Sequence, residues 1–322
     1  MFQFIYWLKA IAAIFITNSH YADIWPVSAM AAGGHLGNCL FFLVSGFCLC
    51  QVKESLPVWY SKRILRIYPA LWIAIVVNMV FGTFRVDSFI AVVHCFVYPT
   101  WFHFITSIML LYLLFFLVRT LQEAFRIQTK LVLAVSVLIF AVMYLFLFDK
   151  THYHIDDVME NWVRYQFWIS MMIGACLREK IDTIRSKISA LEWTALVVLV
   201  FIYFSAKIAV GRFPALYSVQ ILSPATLVLL VAHVAIIFIK LEKQGLLTQK
   251  SWLRTIVNLI STLTLEIYLI QNIIIHQFGT LPFPANFCVV SVLILAAAWI
   301  VHQAAEWIRR KCSRLLYRKG TQ

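Results

Sequence analysis

Phe4-Ile-Tyr-Trp-Leu-Lys9-Ala-Ile-Ala-Ala-Ile-Phe-Ile-Thr-Asn-Ser-His20 is the stretch that decides how this chain is read. It is long enough to cross a bilayer, which takes about 17–25 residues as a helix. One lysine interrupts it and a histidine stands near its far end. Eleven residues at about 3.6 per turn is close to three turns, so a continuous helix puts Lys9 and His20 on one face, roughly 16 Å apart. Ionisable groups within a membrane are costly and normally face a protein interior or a wet cavity, which marks them as functional candidates. The alternative is that Lys9 snorkels to the inner headgroups while His20 sits in the outer interface.

The whole chain repeats this pattern. Of 322 residues, 62% are hydrophobic and only 13% charged, a balance that excludes an ordinary soluble domain. The net charge of +13 lies in short tracts between apolar runs, so it argues against nucleic-acid binding and for the inner loops of a membrane protein. The seven cysteines show no CxxC pairing and read as small hydrophobes rather than disulfide or metal partners. Lys9 interrupts the first apolar run and no basic residue precedes it, so a cleavable signal peptide is not expected.

The expected fold is an all-α integral membrane protein, a single domain over 1–322 with ten spans. These run at about 4–20, 36–50, 67–83, 101–118, 131–148, 165–177, 188–206, 215–239, 255–275 and 287–305. The intervening segments 51–66, 119–130, 178–187, 240–254 and the tail from 306 hold 21 basic residues, Lys250 and Lys319 among them, against five in the other loops. That asymmetry places both termini in the cytoplasm. Segment 88–100 is apolar but short, ends at Pro99, and is expected to be re-entrant or to lie on the outer surface. The helix over 67–83 is expected to open at Pro69, where a first-turn proline sacrifices no hydrogen bond. No Gly/Pro-broken helix pair stands out in the second half, which weakens a transporter reading.

Four segments in order resemble the membrane-bound acyltransferase-3 family. They are the basic residue and histidine of Lys9 to His20; Gly37-Asn-Cys-Leu-Phe-Phe-Leu-Val-Ser-Gly-Phe47; Lys62-Arg63-Ile-Leu-Arg66-Ile-Tyr-Pro69; and Leu265-Glu266-Ile-Tyr268-Leu-Ile-Gln271. The chain departs from the family pattern in having Lys9 where many members carry Arg, Asn38 for an aliphatic residue, and Gln271 for a late histidine. It is similar to the stand-alone form, with no extracytoplasmic esterase-like domain. The resemblance implies a multi-pass protein of the cell inner membrane that moves an acyl group, expected to be acetyl, from coenzyme A to a hydroxyl of a surface or exported glycan. The expected partners are therefore the bilayer, acetyl-coenzyme A as donor and a glycan or lipid-linked glycan as acceptor, with no nucleic acid and no metal. Two rival readings stay open: acylation of a small metabolite or lipid-linked sugar, and a transporter or flippase gated by intramembrane charges.

His20 is the expected general base, since a neutral imidazole can take a proton from a sugar hydroxyl near pH 7. Lys9 is expected in a catalytic or donor-binding role, as the family position implies. Arg63 and Arg66 stand at i and i+3 and would grip the donor's phosphates, or else serve only to keep the loop inside. Ser45 and Gly46 read as a close helix contact rather than a nucleophile. Glu266 needs a partner, with Lys9 one possibility. The run Thr151 to Asp157 holds His152, His154, Asp156 and Asp157 and reads as a solvated polar loop. His35 and His302 show no informative spacing.

Overall fold

The computed structural model describes residues 2–248 and 251–318; Lys250 and Lys319 lie outside them. Twelve helices follow in order: α1 Gln3–Asn18, α2 Gly34–Leu49, α3 Leu56–Val80, α4 Phe89–Val92, α5 His103–Phe125, α6 Thr129–Leu147, α7 Asn161–Lys180, α8 Ala190–Arg212, α9 Leu222–Lys243, α10 Trp252–Thr262, α11 Thr264–Phe278 and α12 Ala285–Arg318. Among the described residues seven helices are long and apolar enough to cross a membrane, or eight if the bent pair α10 and α11 counts as one. Nine of the ten expected spans fall on a single helix and the tenth, 255–275, on the bent pair α10 and α11, but α1 has only 16 residues and α7 ends in Arg178 and Lys180. This is a multi-pass membrane protein. Within α8 the side chains of Leu191, Val197, Phe201 and Ile208 are exposed, an apolar surface suited to lipid.

The chain forms two compact units. Met1–Ala12, His35–Val52 and Leu114–Thr255 make the first. At its centre α7 is buried without interruption from Gln166 to Ala175, as a helix apolar all round must be. It meets α2 through two glycines. A Cβ on Gly46 would stand 2.6 Å from the Met171 carbonyl carbon, and one on Gly174 would stand 2.7 Å from the Phe47 nitrogen. The expected close contact at Ser45-Gly46 is thus present, and Phe42 stacks on Phe167 at 4.4 Å between ring centres beside it. The first turn of α1 donates Gln3 N and Phe4 N to Glu242 at 3.0 and 2.6 Å, a carboxylate at the positive end of the helix dipole. Arg119, expected to be merely a loop charge, is buried and bonds Thr129 Oγ1 at 2.7 Å and Glu179 at 3.0 Å.

The second unit comprises Ala13–Gly34, Lys53–Leu113 and Ile256–Gln322. Its core joins Tyr21 and Ile24 to Leu263, Ile267, Ile270, Val290 and Ile294. Two expectations change here, at Pro69 and at 255–275, while that for segment 88–100 holds. The third span begins at Leu56, with Pro57 in the first turn, so Pro69 lies inside the helix and costs it one backbone bond. Segment 88–100 does not cross: it makes the single turn α4 and a π turn over Val93–Val97. That turn is held to α3 by Tyr68 Oη to Val97 O at 2.7 Å and Trp72 Nε1 to Phe96 O at 2.9 Å. The span expected at 255–275 is broken at Leu263, where α10 and α11 bend by 76°. No Gly or Pro causes the break. The hydroxyls of Thr262 and Thr264 occupy the Asn258 and Ser261 carbonyls at 2.7 and 2.9 Å, which lets the backbone turn without orphaned groups.

Candidate functional site

In the second unit α1 ends at Asn18, before His20 is reached. The backbone leaves the helix in a tight turn, with His20 N bonding Thr17 O and Tyr21 N bonding Asn18 O, each at 3.0 Å. The helical phase that would align His20 with Lys9 therefore does not extend to His20. Asn18 is the hub of this turn. Its Nδ2 donates to Met30 O at 2.8 Å and Ala32 O at 3.0 Å, while its Oδ1 accepts from Trp25 Nε1 at 2.9 Å. Ser19 Oγ returns to Ile16 O, and a Cβ on Gly34 would stand 2.8 Å from the Ser19 Cβ, so the returning chain needs a glycine there. Tyr21 Oη meets Ser291 Oγ at 3.0 Å. His20 is thus set on a fixed turn with its side chain exposed, and among the described residues its imidazole makes no hydrogen bond.

Thr17, Asn18 and Tyr21, the residues flanking His20, line a cavity of about 380 Å³ whose other walls include Ile267, Phe287 and Ile294. Thr17 Oγ1 donates to Gln271 Oε1 at 2.8 Å, and Gln271 Nε2 is buried with no acceptor. Glu266 pairs with His302 Nδ1 at 2.8 Å on α12, both groups nearly buried, and its second oxygen has no hydrogen-bond partner among the described residues. Sequence reasoning passed over His302. The signal was present: it is the only ionisable residue in the apolar run 287–305, as Glu266 is in its own.

Arg63 and Arg66 share α3 as expected but hold different partners. Arg63 lies over the Trp59 ring at 3.9 Å and donates to Trp59 O at 2.8 Å. Arg66 pairs with Glu306 at 3.1 Å, and Glu306 also accepts from Arg309. Beside them Lys62, Leu65, Arg309, Arg310, Ser313 and Arg314 line a cavity of about 450 Å³.

Lys9 belongs to the first unit and is half-buried on α1, close enough to Cys48 for its charge to act there together with that of Arg178. Arg178 stacks on Phe2 and Phe47, and a cavity of about 420 Å³ lies among Phe2, Ile5, Phe47, Cys48, Gln51 and Arg178.

A second polar centre of this unit was not foreseen. The run from His152 to Asp157 is solvated only at its ends: His152 and Asp157 are exposed, but His154 and Ile155 are buried, and Gln220 Oε1 accepts from His154 N and Ile155 N, both at 3.1 Å. Asp156 pairs with Lys207 at 2.5 Å. Burial raises the Asp156 pKa, but the Lys207 ion pair and the nearby His35 outweigh it and hold the carboxyl below its ordinary range. Burial and the neighbouring Asp156 push the Tyr153 phenol up. His35, buried at the head of α2 with the Phe167 ring 5.9 Å away, has no hydrogen-bond partner for either ring nitrogen among the described residues, and neither has Asn38 Oδ1 one turn on.

No curated protein and no solved structure matches the chain. A family model for the acyltransferase domain matches residues 2–303. That match covers nearly the whole sequence, reaches into both units, includes the residues of the candidate site other than those of α12 from Glu306 onward, and assigns an acyl-transfer activity to the protein. The chain belongs to the acyltransferase-3 family.

Proposed function

We propose that the protein is a ten-crossing O-acetyltransferase of the cell inner membrane, with both termini cytoplasmic, that passes an acetyl group from acetyl-coenzyme A to a hydroxyl of a surface or exported glycan. His20 takes the proton of the acceptor hydroxyl as its oxygen attacks the thioester carbonyl. The carbon–sulfur bond breaks, an ester bond forms, and the proton is passed on to the departing thiolate. Lys9 serves the donor end. The observation that carries this reading is His20 itself: an exposed, uncommitted imidazole held on a turn by Asn18 and Gly34, in a chain whose family transfers acyl groups. Neutral imidazole is the side chain best matched to this proton transfer near pH 7.

The cavity flanking His20 favours a second form of the acceptor. Its walls are apolar apart from Thr17, Asn18, Tyr21, Trp25 and Ser291, which suits a lipid-linked glycan better than a free sugar.

The test is thiol release from acetyl-coenzyme A by the purified full chain in detergent, with acceptor glycan from its own host. His20→Ala is expected to abolish release with normal membrane insertion. Lys9→Arg keeps most of it and Lys9→Ala does not. A rise in KM for the donor at constant kcat in Lys9→Ala assigns that residue to binding. Wild-type-like release in His20→Ala removes the general base. Gradient-dependent solute uptake without thiol release replaces the enzyme by a transporter.

A further inference from the structure

Six residues form the groove between the first turns of α3 and the last described turns of α12: Lys62, Leu65, Arg309, Arg310, Ser313 and Arg314. Four are cationic and none is acidic. The carboxylates within reach are spent on the rim, Glu54 on Lys62 and Glu306 on Arg66 and Arg309. Arg310 and Arg314 form no ion pair among the described residues, and they stand four apart on α12, where like charges repel. A fold that needed these residues only for orientation would let their side chains diverge into water. Instead they surround one recess of about 450 Å³, a volume within the range of small-molecule sites. Guanidinium forks match phosphate oxygens, and Ser313 adds a neutral donor.

We propose that this groove binds phosphate groups, and, resting on the donor assignment above, that they are the phosphates of coenzyme A. Arg63 and Arg66, the pair the sequence offers, then border the site rather than form it. Arg63 is committed to Trp59, and Arg66 holds Glu306 beside Arg309. The same chemistry would suit an anionic lipid headgroup, so the experiment separates the two sources.

The full chain is placed in nanodiscs of phosphatidylcholine alone, and its affinity for coenzyme A and for 3′-dephospho-coenzyme A is measured by calorimetry without acceptor. Retention of phosphatidylglycerol from mixed nanodiscs is measured in parallel by native mass spectrometry. The double variant Arg310→Gln/Arg314→Gln is expected to weaken coenzyme A binding by about ten- to a hundredfold, and to reduce the dependence of that binding on salt. The 3′-dephospho compound should respond less if the 3′-phosphate is the group held. Arg310→Lys/Arg314→Lys, which keeps the charge, should recover part of the affinity and guards against misfolding as the cause. Lys311→Gln, whose side chain lies on Trp307 rather than in the groove, is the control and should bind as wild type. Lost phosphatidylglycerol retention with unchanged coenzyme A affinity supports phosphate recognition and gives the site to a lipid. Unchanged behaviour in both measurements overturns the proposal. A wild-type chain that binds no coenzyme A but loses lipid on mutation refutes the donor reading alone.

Discussion

Gly46→Ala tests the contact on which the first unit is built. An added Cβ would stand 2.6 Å from the carbonyl carbon of Met171 and 2.8 Å from its Cα, and these atoms are backbone that cannot rotate aside. Carbon atoms rest at about 3.5–4.0 Å, so α2 and α7 must part by roughly 1 Å. Overpacking of this kind costs about 1–3 kcal/mol. Gly174 is the reciprocal partner: its Cβ would meet Leu43, about one turn before Gly46, and Phe47, the residue after it. Once the helices have separated for one methyl group, the second enters space already opened. The double variant Gly46→Ala/Gly174→Ala should therefore lose about as much as the worse single variant, a coupling of roughly 1 kcal/mol or more. Reversible unfolding of purified protein in mixed detergent measures all three differences. Additive losses, or a Gly46→Ala variant as stable as wild type, would falsify the close-crossing account.

Three further outcomes are expected. His35→Phe keeps the ring shape while removing two unpaired buried nitrogens, and should raise stability by about 1–3 kcal/mol in the same assay, whereas a loss would show that the imidazole has a partner. His302→Ala leaves Glu266 buried alone and should cost about 3–5 kcal/mol, while Glu266→Leu/His302→Leu should recover most of it; a double variant no better than the single one would rule out a structural pair. The Asp156 carboxyl is held below its ordinary range in the folded protein, so its contribution to stability is complete above the unfolded pKa of about 3.9 and disappears as pH falls through the folded value. Asp156→Asn should therefore cost stability at pH 7 and abolish that part of the acid dependence, read as unfolding midpoint against pH. An unaltered pH profile would detach Asp156 from Lys207.

Apolar runs and the charges between them were enough to find every helix of span length, because each run must satisfy its own backbone in lipid and only a helix does so. Breaks and ends were harder. The bend at Leu263 carries neither Gly nor Pro, and the threonine hydroxyls that make it possible look, in sequence, like ordinary polar residues in an apolar run. The end of α1 was misplaced by two residues because Asn18 and Ser19 fit a helix by polarity. Their side chains instead cap the loop 21–33, a role fixed by Met30, Ala32 and Ile16 carbonyls that the sequence does not bring near. Lys62, Arg63 and Arg66 were legible as a basic tract, yet the division of labour among them depends on Trp59, Glu306 and α12.

The same limit explains why the partners of the buried polar residues are not legible in the sequence. His302 and Glu266 stand 36 positions apart and His35 and Asp156 are 121 apart, so neither pair leaves a spacing to read. What sequence does carry is the cost: a lone ionisable group in an apolar run must find a partner, water or a ligand. Glu266 finds His302, and Asp156 finds Lys207. His20 and the α12 arginines Arg310 and Arg314 find no ion pair or side-chain hydrogen bond among the described residues, and all three are exposed where a substrate can reach them. Charges that the fold has already neutralised hold helices together. Those it leaves unspent are the ones to test for chemistry: on the function proposed above, His20 for the proton transfer and the end of α12 for the donor's phosphates.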